Sequence, residues 1–266
     1  MTTSKRTFMK RSGEIDWYCE QSGQGPDVVL IPSGEGDCSA FDKVAAILAQ
    51  TFTVTTFDTP GFSRSGAPAD PTDISTLTLG PQIASLIRSL DIKNATIYGC
   101  SSGGMATLDL AVHFPEIVRN VIIHEIASPD PQDIPPSLTA LGALDDAGIV
   151  AACGQLFETF LNEDPALWRA LGADYHARLK NNYVTWVRRY IQGTMHAPLD
   201  PRSLTGRPIT WTIGSLSMVA AAFSNVRISH RAGIELGCLP CRHFPQVSIP
   251  DQLAAHIRRH ALPMQG

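Results

Sequence analysis

The chain's densest chemical signal is Gly99-Cys-Ser101-Ser-Gly103. It lies between an apolar, β-rich run, Ala95-Thr-Ile-Tyr-Gly99, and a helix-like stretch from Gly104 to Phe114. Gly-x-Ser-x-Gly at a strand-to-helix turn is the pattern of a nucleophile elbow. The turn is too tight for neighbouring side chains, so glycines flank the serine. Its Oγ then faces away from the sheet at a helix N-terminus, where the peptide dipoles favour developing negative charge. A plain Gly/Ser turn into a helix is the competing reading; the strand before and the helix after favour the nucleophile. Such a serine needs a base. Of eight histidines, His243 is best placed, in the loop Pro240-Cys-Arg-His-Phe-Pro245 between the last expected strand and the terminal helix. In a parallel sheet that loop shares the C-terminal edge with the elbow. His113, His176, His256 and His260 fall in helical patterns, His196 in an inserted region, His230 beside Arg227 and Arg231, and His124 inside a strand.

The base in turn needs a carboxylate to fix its tautomer. The stretch Gly214 to Val226, after one candidate strand, holds no Asp or Glu. Glu125 ends the strand Asn120-Val-Ile-Ile-His-Glu125, and an acid at the end of an apolar strand needs a reason, catalytic or as half of a salt bridge. The resulting order, Ser101, Glu125, His243, is the Ser…Asp/Glu…His order of the α/β-hydrolases. An oxyanion formed at Ser101 would require two backbone N–H donors. Ser102, after the nucleophile, supplies one. The loop Ile31-Pro-Ser-Gly34-Glu-Gly36 supplies the other, through Gly34 or Glu35. That loop lacks the lysine of a P-loop and the spacing of a dinucleotide-binding turn, which disfavours a phosphate cradle. Asp58-Thr-Pro-Gly61-Phe-Ser63-Arg-Ser65 reads as a structural tight turn.

The elements that must hold these residues alternate. Strands are expected at Asp27–Pro32, Phe52–Asp58, Ala95–Gly99, Asn120–Glu125, Pro208–Gly214 and Gly233–Leu239, with an edge strand in a hairpin at Ile15–Glu20. Amphipathic helices are expected at Phe41–Ala49, Leu77–Leu90, Gly104–Phe114 and Pro250–His260. Continuous apolar strands separated by helices predict an α/β fold with a mostly parallel central sheet flanked by helices. From 129 to 205 the pattern is helical, without a convincing strand, and is bounded by Pro-rich turns. This predicts a helical cap, or lid, inserted into a core formed by residues 1–128 and 206–266.

The composition excludes several classes. With 44% apolar and 17% charged residues among 266, the chain is not expected to be disordered. Twenty-one basic against 25 acidic side chains argue against a nucleic-acid partner. No apolar run approaches the length of a membrane span, and the polar, basic N-terminus lacks the core of a signal peptide, so a cytoplasmic enzyme is expected. The six cysteines are scattered; Cys238 and Cys241 form a lone CxxC without the second pair of a zinc site, so reduced thiols and no metal are expected.

Taken together these residues resemble the α/β-hydrolase family, and more closely the fungal lactone hydrolases that open zearalenone. The matching stretches are Gly25-Pro-Asp-Val-Val-Leu30, Val54-Thr-Thr-Phe-Asp-x-Pro-Gly61, Ser63-Arg-Ser65, Leu90-Asp-Ile-Lys93, Gly99-Cys-Ser-Ser-Gly103, His124-Glu125, His176-Ala-Arg-Leu179 and His243-Phe-Pro245. The resemblance implies a cofactor-independent serine hydrolase of a macrocyclic resorcylic acid lactone, with Ser101 as nucleophile, Glu125 as acid and His243 as base. It implies oxyanion contacts from Ser102 and Gly34, and a substrate contact from Trp186 in Asn182-Tyr-x-x-Trp-x-Arg188. The residues alone also allow Trp186 to be core of the helical insert. The chain departs from that family at Ser33-Gly-Glu-Gly36, at Glu125-Ile-Ala127, between 129 and 175, and from Gly214 to Phe223. Alternatives are a carboxylesterase, a hydrolase of another lactone, or a slow-turnover ligand-binding receptor. Dehalogenase and epoxide-hydrolase chemistry on this fold uses an aspartate nucleophile, which Ser101 is not. A homodimer is left open.

Overall fold

The computed structural model describes residues 4–127, 135–191 and 199–262. Eight strands form one sheet: β1 (Arg6–Ser12), β2 (Ile15–Ser22), β3 (Asp27–Ile31), β4 (Thr53–Phe57), β5 (Ala95–Ser101), β6 (Val118–Ile126), β7 (Ile209–Gly214) and β8 (Leu236–Leu239). Their spatial order is β1-β2-β4-β3-β5-β6-β7-β8. Strands β3 to β8 are mutually parallel, while the β1–β2 hairpin joins β4 antiparallel. Helices of seven residues or more are α1 (Asp42–Leu48), α2 (Thr76–Ser89), α3 (Ser102–His113), α4 (Asp146–Gln155), α5 (Ala173–Thr185), α6 (Val219–Ala232) and α7 (Pro250–Ala261).

The strands alternate between two cores because successive side chains leave opposite faces. Val29, Ile31, Ile97, Val121 and Ile123 face a cluster that includes residues of α2, α3 and α6. Val28, Leu30, Tyr98, Cys100 and Ile122 face the other, with α1 and α7. Strands buried on both faces are continuous apolar runs, as their sequences are. The second cluster runs on into Phe157, Trp168, Tyr175, Tyr183 and Phe244, and so seats the helices between β6 and β7 on the sheet. Between those strands the described residues form helices and turns and no strand.

Two elements differ from expectation. The Ile15 strand is in a hairpin but is not the edge: β1 covers it. Ile15, Trp17 and Cys19 turn into the core, whereas β1 carries Arg6, Lys10 and Arg11 and suits an exposed edge that resists further pairing. The last strand begins at Leu236 rather than Gly233, because Gly233 adopts φ 69° and terminates α6. Helix α6 itself has apolar residues on both faces, with Val219, Phe223 and Val226 exposed, so no amphipathic stripe marks it in the sequence.

Phe157 pins the helical stretch to the core. Its ring stacks on Phe244 at 5.5 Å and meets Trp186 edge-on at 5.3 Å and Tyr183 at 4.9 Å. Phe157→Ala is expected to cost about 3–5 kcal/mol of unfolding free energy, measured by urea denaturation.

Candidate active site

Strand β5 passes into α3 without an intervening residue, and Ser101 absorbs the change of direction at φ 56°, ψ −120°. A non-glycine residue rarely holds that conformation. The approach around it is correspondingly close. A Cβ at Gly99 would collide with the Gly103 carbonyl and Thr107 Oγ1, and one at Gly103 with the Pro32 carbonyl. The two glycines are therefore a steric requirement of the elbow. Ser102 opens α3, whose first backbone N–H groups have no partner within the helix.

On the neighbouring strand a second residue is strained. Cys100 pairs with His124, but Ser101 pairs with Ile126, so Glu125 is the extra residue of a bulge and takes φ 40°. The bulge aims its carboxylate along the sheet edge. Glu125 Oε1 accepts a hydrogen bond from the Gly214 N–H at 2.8 Å, and Oε2 lies 2.6 Å from His243 Nδ1. Burial opposes ionisation of this carboxyl. The hydrogen bond and charge of His243 outweigh it, aided by His124 and the Ser217 hydroxyl, and lower its pKa to about 2. Ser101 is almost completely buried at the same edge.

The loop bearing His243 is fixed from three sides. Its carbonyl accepts from Cys100 Sγ at 3.0 Å, and its N–H donates to the Leu161 carbonyl at 3.1 Å. The Arg242 N–H donates to Glu163 Oε2 at 2.9 Å, and the Arg242 carbonyl lies 3.2 Å from His124 Nε2. His124 is wholly buried, with Nδ1 3.0 Å from Thr212 Oγ1, and burial lowers its pKa to about 4. A neutral imidazole thus braces the loop of the candidate base. In the sequence His124 showed only as a strand histidine.

Gly34 lies in the buried loop after β3, and a Cβ there would come within 2.5 Å of Trp186 Nε1. Trp186 is partly buried and packs against both core clusters. The sequence-expected oxyanion loop and the tryptophan therefore touch. The loop is held by α5: Asn182 Nδ2 donates to the Glu35 carbonyl and to Ser63 Oγ, each at 2.7 Å, while its Oδ1 accepts from the Ser63 N–H at 2.8 Å. Arg178, one turn earlier, pairs with Asp37 at 2.7 Å. Asp37 also pairs with Arg64, which binds Asp58 at 2.6 Å and stacks over the Tyr18 ring at 3.8 Å. Burial works against the charge on Asp37; the Arg178 hydrogen bond and Arg64 overcome it and hold its pKa below the ordinary carboxylate range. The turn from Asp58 to Ser65 is thus structural, as expected, and is built around this ion cluster. Asn182, Asp37, Arg64 and Arg178 carry no local signal of a site, because their partners lie up to 147 residues away.

Among the described residues no group of His, Cys, Asp and Glu is placed to hold a metal ion, and no helix is long and apolar enough to cross a membrane. The six cysteines are free, and Cys238 is the exposed one.

A strained serine at a strand-to-helix turn, beside a buried carboxylate–imidazole pair on a doubly covered parallel sheet, is the arrangement of the α/β hydrolases. The chain belongs to that family: the profile of the alpha/beta hydrolase fold matches residues 26–186. Two relatives, each named zearalenone hydrolase, align over nearly the whole chain. The one from Bionectria ochroleuca is 37% identical over 257 residues, 95% of this chain and 96% of the relative. The one from Cladophialophora bantiana is 39% identical over 259 residues, 95% of each. Among solved structures, one titled as Est816, an N-acyl homoserine lactone degrading enzyme, superposes with a TM-score of 0.78 over 94% of this chain and 99% of that one, at 19% identity. At that identity the likeness is one of fold.

Two outcomes are expected here. Glu125 binds its proton less tightly in the folded state than in the unfolded chain, where its pKa is roughly 4.3. The stability it confers is complete above that value and is lost as pH falls toward 2. Glu125→Gln therefore flattens the acid side of a Tm-against-pH curve. Asn182→Ala unties both the Gly34 loop and Ser63; with one buried and two partly buried hydrogen bonds lost, it is expected to cost about 2–4 kcal/mol, read by denaturant unfolding.

Proposed function

We propose that this protein is a serine hydrolase that opens the ester of a macrocyclic resorcylic acid lactone of the zearalenone type. The observation that carries the reading is the 2.6 Å pairing of Glu125 with His243 at the sheet edge where the elbow presents Ser101. The full-length similarity to two proteins named zearalenone hydrolase supports the substrate class.

Glu125 accepts the Nδ1–H of His243 and so leaves Nε2 free to take the Ser101 proton. Oγ attacks the ester carbonyl and the C=O electrons move to oxygen. That oxyanion rests on the N–H groups of Ser102 and Gly34. The imidazolium returns its proton to the departing alkoxide as the C–O bond breaks, opening the ring and leaving an acyl-enzyme. A water then loses its proton to His243, attacks the acyl carbon and releases the acid with Ser101 restored. No cofactor enters these steps. The described helices between β6 and β7 act as the lid, with Trp186 as an aromatic wall against a flat ring.

A second reading keeps the chemistry and changes the substrate to another lactone or a simple ester. The Ser33-Gly-Glu-Gly36 loop favours it, because it departs from the lactone hydrolases beside the reacting carbonyl. Purified protein incubated with zearalenone and followed by chromatography separates the two. Wild type is expected to consume the lactone, and Ser101→Ala to lose several orders of magnitude in kcat. Cleavage of an aryl ester alone would support the second reading; binding of zearalenone with neither ester cleaved would make the protein a receptor.

A further inference from the structure

The oxyanion loop carries an acid that the steps above do not use. Glu35 has no exposed surface, and neither of its carboxyl oxygens makes a hydrogen bond of good geometry among the described residues; its own N–H and the Ser33 hydroxyl are the polar groups near it. An ionised carboxylate in such a place is strongly disfavoured unless paired. Titratable groups from several elements face it: Asp37 on its own loop, Tyr98 and Cys100 on β5, Tyr175 and Tyr183 on α5, and His243. Among these the imidazole alone can carry positive charge, and it is already paired with Glu125. Arg178 on α5 is bound to Asp37. Burial pushes the Glu35 pKa up to about 7; its own N–H, the Ser33 hydroxyl and His243 offset this in part, and Asp37 reinforces it.

The loop itself cannot swing the acid away. Asn182 grips the Glu35 carbonyl at 2.7 Å, the Gly36 N–H donates to the Ser33 carbonyl at 3.1 Å, and Trp186 closes on Gly34. We propose that Glu35 is held as a neutral carboxylic acid behind the oxyanion loop, and that its ionisation slows the hydrolysis by setting a negative charge beside the tetrahedral oxygen. The inference rests on the reading of Ser101 as an acyl-transfer nucleophile. Glu35 is sealed from the substrate and is a positioning residue, acting through the field it adds to the loop. Attraction between ionised Glu35 and the imidazolium does not reverse the sign. The imidazolium forms only as the oxyanion does and is already paired with Glu125, so its attraction to ionised Glu35 offsets only part of the repulsion within the loop that carries the Gly34 donor. At an effective dielectric of about 20, one unit charge roughly 6–12 Å from the oxyanion corresponds to a fall on the order of 10- to 100-fold in kcat.

The test compares wild type, Glu35→Gln and Glu35→Leu by two measurements. The first is kcat against pH for zearalenone and for p-nitrophenyl acetate. Wild type is expected to show an alkaline limb that both variants lack. Coincident profiles in wild type and variants, or a wild-type profile with no alkaline limb, overturn the proposal. The second is Tm against pH, which needs no turnover. Folded Glu35 holds its proton more tightly than the unfolded chain does. Stability is therefore intact below the unfolded pKa, falls as pH rises to about 7, and is level above that. Wild type should lose ground to Glu35→Leu across that interval; a pH-independent difference sinks the proposal. If wild type cleaves neither ester, the hydrolase reading fails and this proposal fails with it; turnover with coincident profiles overturns this proposal alone.

Discussion

Helix α3 begins where β5 ends, and that abrupt junction governs the site. Ser101 can make the turn only in a left-handed conformation, at φ 56°. Such a conformation persists only when the surroundings over-determine it. Here they do: the helix presses so close to β5 and to the end of β3 that Gly99 and Gly103 have no room for a side chain. The same closeness brings the loop after β3 alongside the start of α3, where the proposed backbone donors of Gly34 and Ser102 lie. A looser junction would relieve the serine and lose the convergence with it.

The adjacent strand repeats the device by another route. A bulge at Glu125 breaks the ladder for one residue, and the carboxylate swings to meet the loop after β8. Two neighbouring strand ends thus carry positive-φ strain, while the other register shift of this ladder, between Ala95 and Thr96, lies at the far end of β5. The helices between β6 and β7 then grip both halves. Leu161 and Glu163 hold the backbone of the His243 loop, and Asn182 and Arg178 hold the loop of Gly34. Buried ion clusters such as Asp37, Arg64, Asp58 and Arg178 add little net stability, because desolvation offsets attraction. Their geometric demands do fix the register of the loops they join.

Much of this could be read from the chain. The apolar runs of β3 to β7, the glycine-flanked serine and the lone acid closing an apolar strand are local signals with local causes. Strand β1 was hidden because edge strands are charged, and α6 because its apolar residues lie on both faces. The bulge at Glu125 left no mark, since it follows from pairing rather than composition. Asn182 could not have been found by spacing: its partners Ser63 and Glu35 are 119 and 147 residues away, and an asparagine in a helical pattern looks like surface. Trp186 stood between core and pocket in the sequence, and its position against Phe157 and Gly34 serves the core while lying beside the oxyanion loop.

The hydrogen bond from the His243 backbone to Leu161 bears on how such proteins diversify. Loops over a shared scaffold are commonly treated as interchangeable parts that set what a pocket admits. In this chain the stretch between β6 and β7 also sutures the peptide that carries the His243 imidazole. Exchanging that stretch would therefore shift the His243 peptide relative to Glu125 along with the surface above the sheet, so the two cannot be altered independently.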